Sequence, residues 1–282
     1  MELNIFEEKI DDVEELRQIA KDVRKDIVDM VYYAQSGHPG GSLSVTDILT
    51  VLYFNQMNIS IEDPKLETRD RLVLSKGHCS PALYATLAKR GFFEEEILKT
   101  FRKIDSNLQG HPDMNKVNGV DMTSGSLGQG LSVANGMALS AKIDKKDYRV
   151  YCVVGDGEIE EGQIWEACMT AGHYKLDNLC VVVDNNNLQI DGTVKDVMNI
   201  YPIKEKFESF GFTAFEVDGN NIEELIGVFE KTKKVKNAPT VIIAKTVKGK
   251  GVSYMENNAK WHGKAPNTEE YEKAMNEFLI EN

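Results

Sequence analysis

The apolar residues between positions 11 and 36 recur every three or four residues, at 13, 16, 20, 23, 27, 31 and 34. This spacing places them on one face of an amphipathic α-helix. The pattern stops at the sequence SGHPGG at 36–41, where glycine and proline both disfavour a continuing helix. A second helix is predicted to begin at Ser44, whose side chain would form a capping box with Asp47.

Five short, continuous apolar segments at 71–75, 149–154, 178–183, 213–217 and 240–246 predict buried β-strands. Helical segments are predicted at about 80–90, 127–142, 159–173, 221–233 and 267–279. The first of these has Ser80 as its N-cap, Pro81 in its first turn and Gly91 after its end. Strands that alternate with helices predict an α/β fold, with a parallel sheet covered by helices on both faces. We find no linker, so residues 1–282 are expected to form a single domain.

Composition excludes several classes of protein. The chain has 33 basic and 45 acidic residues and a formal charge of −12, which argues against a nucleic-acid partner. No segment approaches the ~18 apolar residues of a membrane span, and the acidic N-terminus is unlike a signal peptide. The four cysteines show no C-x-x-C spacing. Buried, reduced thiols fit a cytoplasmic protein.

Two polar motifs close consecutive predicted strands: VVGDGE at 153–158 and VVVDNNN at 181–187. Twenty-seven residues separate Gly157 from Asn185. A GDG followed at this interval by an NN pair resembles the motif that binds thiamine diphosphate. Hard cations such as Mg²⁺ and Ca²⁺ require a shell of oxygen ligands. In this motif the metal ligands would be Asp156, the Asn186 side chain and the Leu188 backbone carbonyl, while Gly157 would let a backbone N–H approach the diphosphate.

Each half of this motif is ordinary on its own, because an isolated GDG is usually a turn and an Asn-rich triplet is usually a loop. Two other phosphate-binding motifs fail on spacing. The sequence GSLGQG at 125–130 reads G-x-x-G-x-G, which differs from the dinucleotide-binding G-x-G-x-x-G. The chain also contains no P-loop.

Four of the five histidines lie in polar or Gly/Pro-rich turns, which suggests one site rich in imidazole. They are His38, His78, His111 and His262. Zinc is a competing explanation, but these residues occur singly over more than 200 positions without the paired spacing of zinc sites. The fifth, His173, falls in a predicted helix and is interpreted as structural, although a role on the diphosphate side stays open.

Seven motifs occur in the order found in the N-terminal, diphosphate-binding domain of transketolases: SGHPGG, DRLVLSKGH, GHP, SGSLGQG, GDGEIEEGQIWEA, DNNNLQIDG and KTVKGKG…WHGK. The resemblance covers about residues 10–265. It implies that His38 and His262 relay protons beside the thiazolium and that His111 holds the carbonyl end of the donor. It also implies cofactor contacts at His78, Gly125, Ser126, Leu127, Gly157, Asn186, Lys248 and His262.

Ser126 and Glu161 need separate comment. Ser126 stands where many transketolases have proline, so the loop that contacts the cofactor would be less rigid. Glu161 matches a glutamate that the family places between its two halves. Proton coupling or ion pairing is implied there, and a solvated helix face is the alternative. Glu166 lies five positions further on and would point in a different direction.

The family activates its cofactor with a glutamate from a second, pyrimidine-binding domain, which this chain does not visibly contain. The sequence ends at Asn282, soon after the WHGK motif. The resemblance therefore implies the N-terminal subunit of a split transketolase. The pyrimidine-binding and C-terminal domains would lie on a separate subunit, in a heterotetramer. The expected reaction, in the pentose phosphate pathway, transfers a two-carbon ketol unit from a ketose phosphate to an aldose phosphate.

Two alternatives stay open. The chain would be a subunit of another thiamine diphosphate enzyme, such as a related ketose transketolase, a deoxyxylulose-phosphate synthase or a 2-oxo acid decarboxylating component. It would otherwise be a non-catalytic, cofactor-binding regulatory subunit. The set of four histidines favours transketolase over the oxo-acid enzymes.

Overall fold

Five parallel β-strands form one sheet at the centre of the molecule. A computed structural model describes residues 6–280. The strands are β1 (Arg71–Leu74), β2 (Val150–Gly155), β3 (Leu179–Asn185), β4 (Thr213–Asp218) and β5 (Thr240–Lys245). Their order in the sheet is β1-β2-β3-β5-β4, and every neighbouring pair is parallel. The predicted α/β fold and all five predicted strands are confirmed.

Helices cover both faces of this sheet. They are α1 (Val13–Ala34), α2 (Pro39–Val51), α3 (Ser80–Arg90), α4 (Gly130–Ile143), α5 (Gly162–His173), α6 (Val194–Val197), α7 (Ile203–Ser209), α8 (Ile222–Lys234) and α9 (Thr268–Ile280). Alternate residues of each strand face opposite layers, as Tyr151 and Cys152 do on β2. The first layer contains α1, α2, α3, α8 and α9, and the second contains α4, α5 and α7.

Four predicted helix starts were wrong. Helix α2 begins at Pro39 rather than Ser44, because a proline at the first helical position has a suitable φ angle and needs no N–H partner. Ser80 is the first residue of α3 rather than its cap, and its hydroxyl donates to the carbonyl of Gly110 (2.9 Å). Helix α4 begins at Gly130 rather than near 127, because the residues before it form a loop at the sheet edge. Helix α5 begins at Gly162 rather than near 159, because Glu158–Glu160 form a separate 3₁₀ turn.

The hydrophobic pattern of the sequence did not predict the short helices α6 and α7, which follow β3.

No helix within residues 6–280 combines the length and apolar character that crossing a membrane requires.

Candidate functional site

Four loops meet at the carboxyl edge of the sheet, where ligands bind in parallel α/β proteins. They follow β1, β2, β3 and β5, and they carry Lys76, Asp156, Asn186 and Lys248 respectively. All four side chains are buried. The crossover order of the strands thus brings residues from distant parts of the chain to one place.

The three groups predicted to bind a metal lie on the adjoining loops after β2 and β3. One carboxylate oxygen of Asp156 accepts from the Gly157 N–H (2.8 Å), and the other accepts from the Asn187 N–H. The side-chain oxygen of Asn186 accepts from the Leu188 N–H (3.2 Å). The Leu188 carbonyl accepts from the ammonium of Lys248 (3.1 Å). Carboxylate, amide and carbonyl oxygens therefore converge on one small region.

Burial shifts the charged groups of this region towards their neutral forms. Burial and the nearby charge of Asp184 raise the pKa of Asp156 to about 7. Burial and the charge of Lys76 lower the pKa of Lys248. A metal cation beside Asp156 would favour its carboxylate form, and an anionic diphosphate beside Lys248 would favour its ammonium form.

Beneath these residues lies a buried ion pair that sequence reasoning missed. Lys76 and Asp184 pair with side chains 3% and 0% exposed. Asp184 also accepts from the hydroxyls of Ser44 (2.6 Å) and Thr246. Burial alone would raise the pKa of Asp184, but Lys76 and these donors lower it. The sequence signal for this ion pair was Asp184 itself, an acidic residue near the end of an otherwise apolar strand.

Three of the predicted histidines form a cluster beside the loops. Ring centroids are 5.2 Å apart for His38 and His78, 5.3 Å for His38 and His262, and 5.2 Å for His78 and His262. Burial, followed by neighbouring positive charges, lowers the pKa of His38 to about 4 and that of His262 to about 3. It lowers the pKa of His78 well below its usual value. All three rings are therefore neutral near pH 7, so each has one nitrogen that can accept a hydrogen bond and one that donates.

A close backbone contact joins the two motifs that carry His38 and His262. A Cβ at Gly40 would lie 2.9 Å from the Trp261 carbonyl oxygen, so a side chain there would push the motifs apart. The Nδ1 atom of His262 lies 3.1 Å from the ammonium of Lys248. Nδ1 of His38 is buried without a hydrogen-bond partner. The histidine cluster thus continues directly into the region around Leu188.

His111 lies outside this triad, on an exposed turn next to the loop that contains Gly125, Ser126 and Leu127. Gly125 packs against the His111 ring, since a Cβ there would lie 3.3 Å from its Cγ atom. Ser126 and Leu127 are exposed. The structure therefore places His111 and the predicted cofactor loop together at the outer rim.

Glu158 fixes that rim to the sheet, and sequence reasoning gave it no role. Its carboxylate is 3% exposed and accepts from the backbone N–H groups of Gly128 (2.9 Å) and Gly155 (2.9 Å) and from the Ser75 hydroxyl. One side chain thus connects the ends of β1 and β2 to the loop before α4. A glutamate in a turn gives no sequence signal for this role.

The remaining acidic and histidine candidates lie away from the cluster. Glu161 precedes α5 and is exposed, with its Cβ close to Gly128 of the rim loop. Glu166 is also exposed. His173 ends α5 and packs against Tyr174, with ring centroids 4.8 Å apart. It does not join the other four histidines.

In this parallel α/β domain, oxygen ligands and an ammonium group lie together on the loops that follow the strands. These features define the class of α/β proteins that hold a diphosphate-containing cofactor on such loops. Comparison with known proteins defines the family. The family described as transketolase, thiamine diphosphate binding domain, matches residues 16–281. The chain belongs to the transketolase family and carries its N-terminal, thiamine diphosphate-binding domain.

Two relatives are similar in length to this chain, and both are named as transketolase subunits. The apulose-4-phosphate transketolase subunit of Phocaeicola vulgatus is 45% identical over 265 residues, which is 94% of each chain. The 6-deoxy-6-sulfo-D-fructose transketolase subunit of Clostridium sp. is 41% identical over 264 residues, covering 94% of this chain and 96% of the relative.

Other relatives are much longer. Human transketolase is 45% identical over 252 residues, which is 88% of this chain but 40% of the human protein. The crystal structure of transketolase from Campylobacter jejuni superposes with a TM-score of 0.90 at 37% identity, covering 95% of this chain and 43% of that one. The chain thus spans about two fifths of these longer proteins.

Proposed function

We propose that this chain is the cofactor-binding subunit of a two-subunit transketolase, which moves a two-carbon ketol unit from a ketose phosphate to an aldose phosphate. The observation that carries the proposal is the cluster of His38, His78 and His262 beside the loops of Asp156 and Lys248. The neutral rings supply proton acceptors, and the loops supply oxygen ligands and a cation. Neither part alone would suffice for this reaction.

Thiamine diphosphate with Mg²⁺, or Ca²⁺, is the cofactor that these residues fit. Asp156, Asn186 and the Leu188 carbonyl would hold the metal, while Lys248, His78 and the Gly157 backbone would hold the diphosphate. The cofactor, when bound, supplies the electron sink that makes cleavage of a carbon–carbon bond next to a carbonyl feasible. The Nδ1 of His38 and the raised pKa of Asp156 support this fit, because among the described residues that nitrogen has no hydrogen-bond partner and that carboxylate forms no ion pair.

The protein's own contribution is to bind the sugar and to move protons. The Nζ atom of Lys248 lies 3.1 Å from Nδ1 of His262. An ammonium at Lys248 would donate to Nδ1, which would leave the proton of the neutral ring on Nε2. His262 and His38 then provide one positioned donor and one buried acceptor for the hydroxyl groups of the sugars. His111 at the rim would hold the carbonyl end of the donor, and the loop of Gly125, Ser126 and Leu127 would cover the cofactor.

A second, separate chain would complete the site. The two relatives of similar length are named as transketolase subunits, which supports the same division here. The loop before α4 and the surfaces of α4 and α5 expose Leu127, Val133, Met169 and Tyr174. We assign this face to contacts within a heterotetramer, whose C-terminal subunit supplies the activating glutamate and most contacts to the substrate phosphate.

Two further observations bear on the substrates and the compartment. Relatives at 45% and 41% identity act, by their names, on apulose 4-phosphate and 6-deoxy-6-sulfo-D-fructose, so the ketose can vary within this group. We propose a sugar phosphate of the pentose phosphate pathway as the first substrate to test. All four cysteines are buried and unpaired, which supports the cytoplasm as the compartment.

The test is to assay the chain alone and with a candidate partner, using xylulose 5-phosphate or pyruvate as the donor. We expect ketol transfer from xylulose 5-phosphate only when both subunits, thiamine diphosphate and the metal are present. Turnover by the single chain would contradict the two-subunit site. Turnover of pyruvate instead would assign the chain to another class of thiamine enzyme, and cofactor binding without any turnover would favour a regulatory subunit.

A further inference from the structure

Arg102 occupies an unusual position between two histidine-bearing segments of the site. It follows the 3₁₀ helix Glu95–Thr100 and has a φ angle of 58°, in the left-handed region that few arginines adopt. Its backbone N–H donates to the Leu108 carbonyl (2.8 Å). This turn directs the side chain back towards the site.

The guanidinium touches both segments. Its Nη1 atom donates to the hydroxyl of Ser36 (3.1 Å), two residues before His38. On the other side it packs on Gly110, immediately before His111, where a Cβ would lie only 2.6 Å from Cζ. Any residue other than glycine at 110 would therefore displace the guanidinium. One side chain bridges two motifs that are more than 70 residues apart in the sequence.

The guanidinium of Arg102 has few polar partners among the described residues. No carboxylate among residues 6–280 forms an ion pair with it, and its Nε atom is buried without a hydrogen-bond partner. The guanidinium also contacts the Phe101 ring, 5.6 Å from Cζ to the centroid. Burying part of a guanidinium with one hydrogen bond costs free energy, so folding alone does not explain its position.

We propose that Arg102 is a positioning residue that ties the segment of His38 to the segment of His111. It fixes the distance between the ring that accepts protons and the ring that holds the donor sugar. The roles of the two histidines rest on the proposed function, but the bridge itself rests on contacts within this chain.

The electrostatics agree with this geometry. Burial first, and then the charge of Arg102, lower the pKa of both His38 and His111. His38 is also faced by His78, His262 and Lys248, whereas Arg102 is the only charged group that lowers the pKa of His111 among the described residues. His111 is therefore the more selective reporter of the bridge.

The test compares Arg102→Met and Arg102→Lys with the control Lys103→Met, which removes a neighbouring exposed charge from the same loop. The first measurement follows the histidine rings of the chain alone by NMR as the pH is varied. We expect Arg102→Met to raise the titration midpoint of His111 by about half a pH unit. Arg102→Lys should retain most of the charge effect, and Lys103→Met and the distant ring of His173 should not respond.

The second measurement is kinetic and uses the complex reconstituted with the partner subunit. Both Arg102 variants should raise the KM for the donor about tenfold while the KM for the acceptor changes little, because lysine cannot contact Ser36 and Gly110 together. A His111 midpoint and donor KM in Arg102→Met that equal those of Lys103→Met would overturn the proposal. If Arg102→Met does not fold, Arg102→Lys with an unchanged donor KM would overturn it equally. If no partner yields ketol transfer, the proposed function fails while the NMR measurement still decides whether the bridge exists.

Discussion

Two layers of polar residues at the carboxyl edge of the sheet are electrostatically opposite. The inner layer, defined as Ser44, Lys76, Asp184 and Thr246, pairs its charges. Despite burial, which opposes ionisation, the pKa of Lys76 is raised and that of Asp184 is lowered, so each partner favours the charged form of the other. The outer layer, defined as His38, Asp156, Lys248 and His262, has all of its pKa values shifted towards the neutral forms.

The difference separates residues that stabilise the fold from residues that await a ligand. Desolvation acts on both layers, but only in the inner layer do partners from within the chain outweigh it. In the outer layer, the cost of burying the charges of Asp156 and Lys248 is not fully offset. Binding sites are often less stable than the rest of the fold for this reason. Substitutions in either layer can therefore test this distinction.

The largest expected effect belongs to the inner layer. Asp184→Asn should destabilise the chain by about 3–5 kcal/mol, because it leaves Lys76 buried without a counter-charge. Urea unfolding monitored by circular dichroism measures this loss. The control is Asp177→Asn, whose ion pair with Lys142 is partly exposed and should cost less than about 1 kcal/mol. Equal losses in the two variants would contradict the assignment of the inner layer.

The next largest effect belongs to the outer layer and concerns turnover. His262→Ala should reduce kcat of the reconstituted enzyme by roughly 10²-fold or more, as is usual for a proton-transfer group. Affinity for the cofactor should stay within a few-fold, because Lys248 and the metal loop are untouched. His173→Ala, at the end of α5, is the matched control and should retain full activity. An unchanged kcat in His262→Ala would remove this residue from the mechanism.

One variant of Asp156 should test two properties of the outer layer, its cost to stability and its role in binding the cofactor. Its folded-state pKa of about 7 lies above the ordinary value of 3.8, so the folded chain binds the extra proton between these values. Stability therefore falls as pH rises from about 4 to 7, and Asp156→Asn removes that loss. The unfolding free energy of the variant, measured relative to wild type, should increase by roughly 2 kcal/mol as the pH is raised from 5 to 8.

The same variant should lose metal-dependent binding of thiamine diphosphate in calorimetry. Asp191→Asn, on the exposed part of the neighbouring loop, should change neither property. Normal cofactor affinity in Asp156→Asn would overturn the metal assignment. If the difference in unfolding free energy between the variant and wild type is the same at pH 5 and pH 8, the pKa of Asp156 is not raised by folding.

Sequence patterns predicted the outer layer far better than the inner one. The outer residues sit in glycine-rich turns with characteristic spacing, so the sequence alone singles out His38, Asp156 and His262. Asp184 and Glu158 are defined by partners distant in sequence, such as Lys76 and Gly128, and only the fold brings these together. The five strands were predictable because continuous apolar segments are distinctive. The start of α2 was not, because glycines that look like helix breakers are tolerated where Pro39 begins the helix.

The smallest expected effect is a change in the slope of stability against pH. The folded-state pKa of His38 is about 4, below its ordinary value of 6.5, so the unfolded chain binds more protons between these values. Stability should therefore fall as the solution is acidified from about pH 6.5 towards pH 4. One histidine contributes at most about 1.4 kcal/mol per pH unit, and the partial exposure of His38 reduces this further. His38→Gln should flatten the slope measured by urea unfolding. If this variant follows the wild-type slope, burial of His38 does not cost stability, and the contrast between the layers would rest on Asp156 and Lys248 alone.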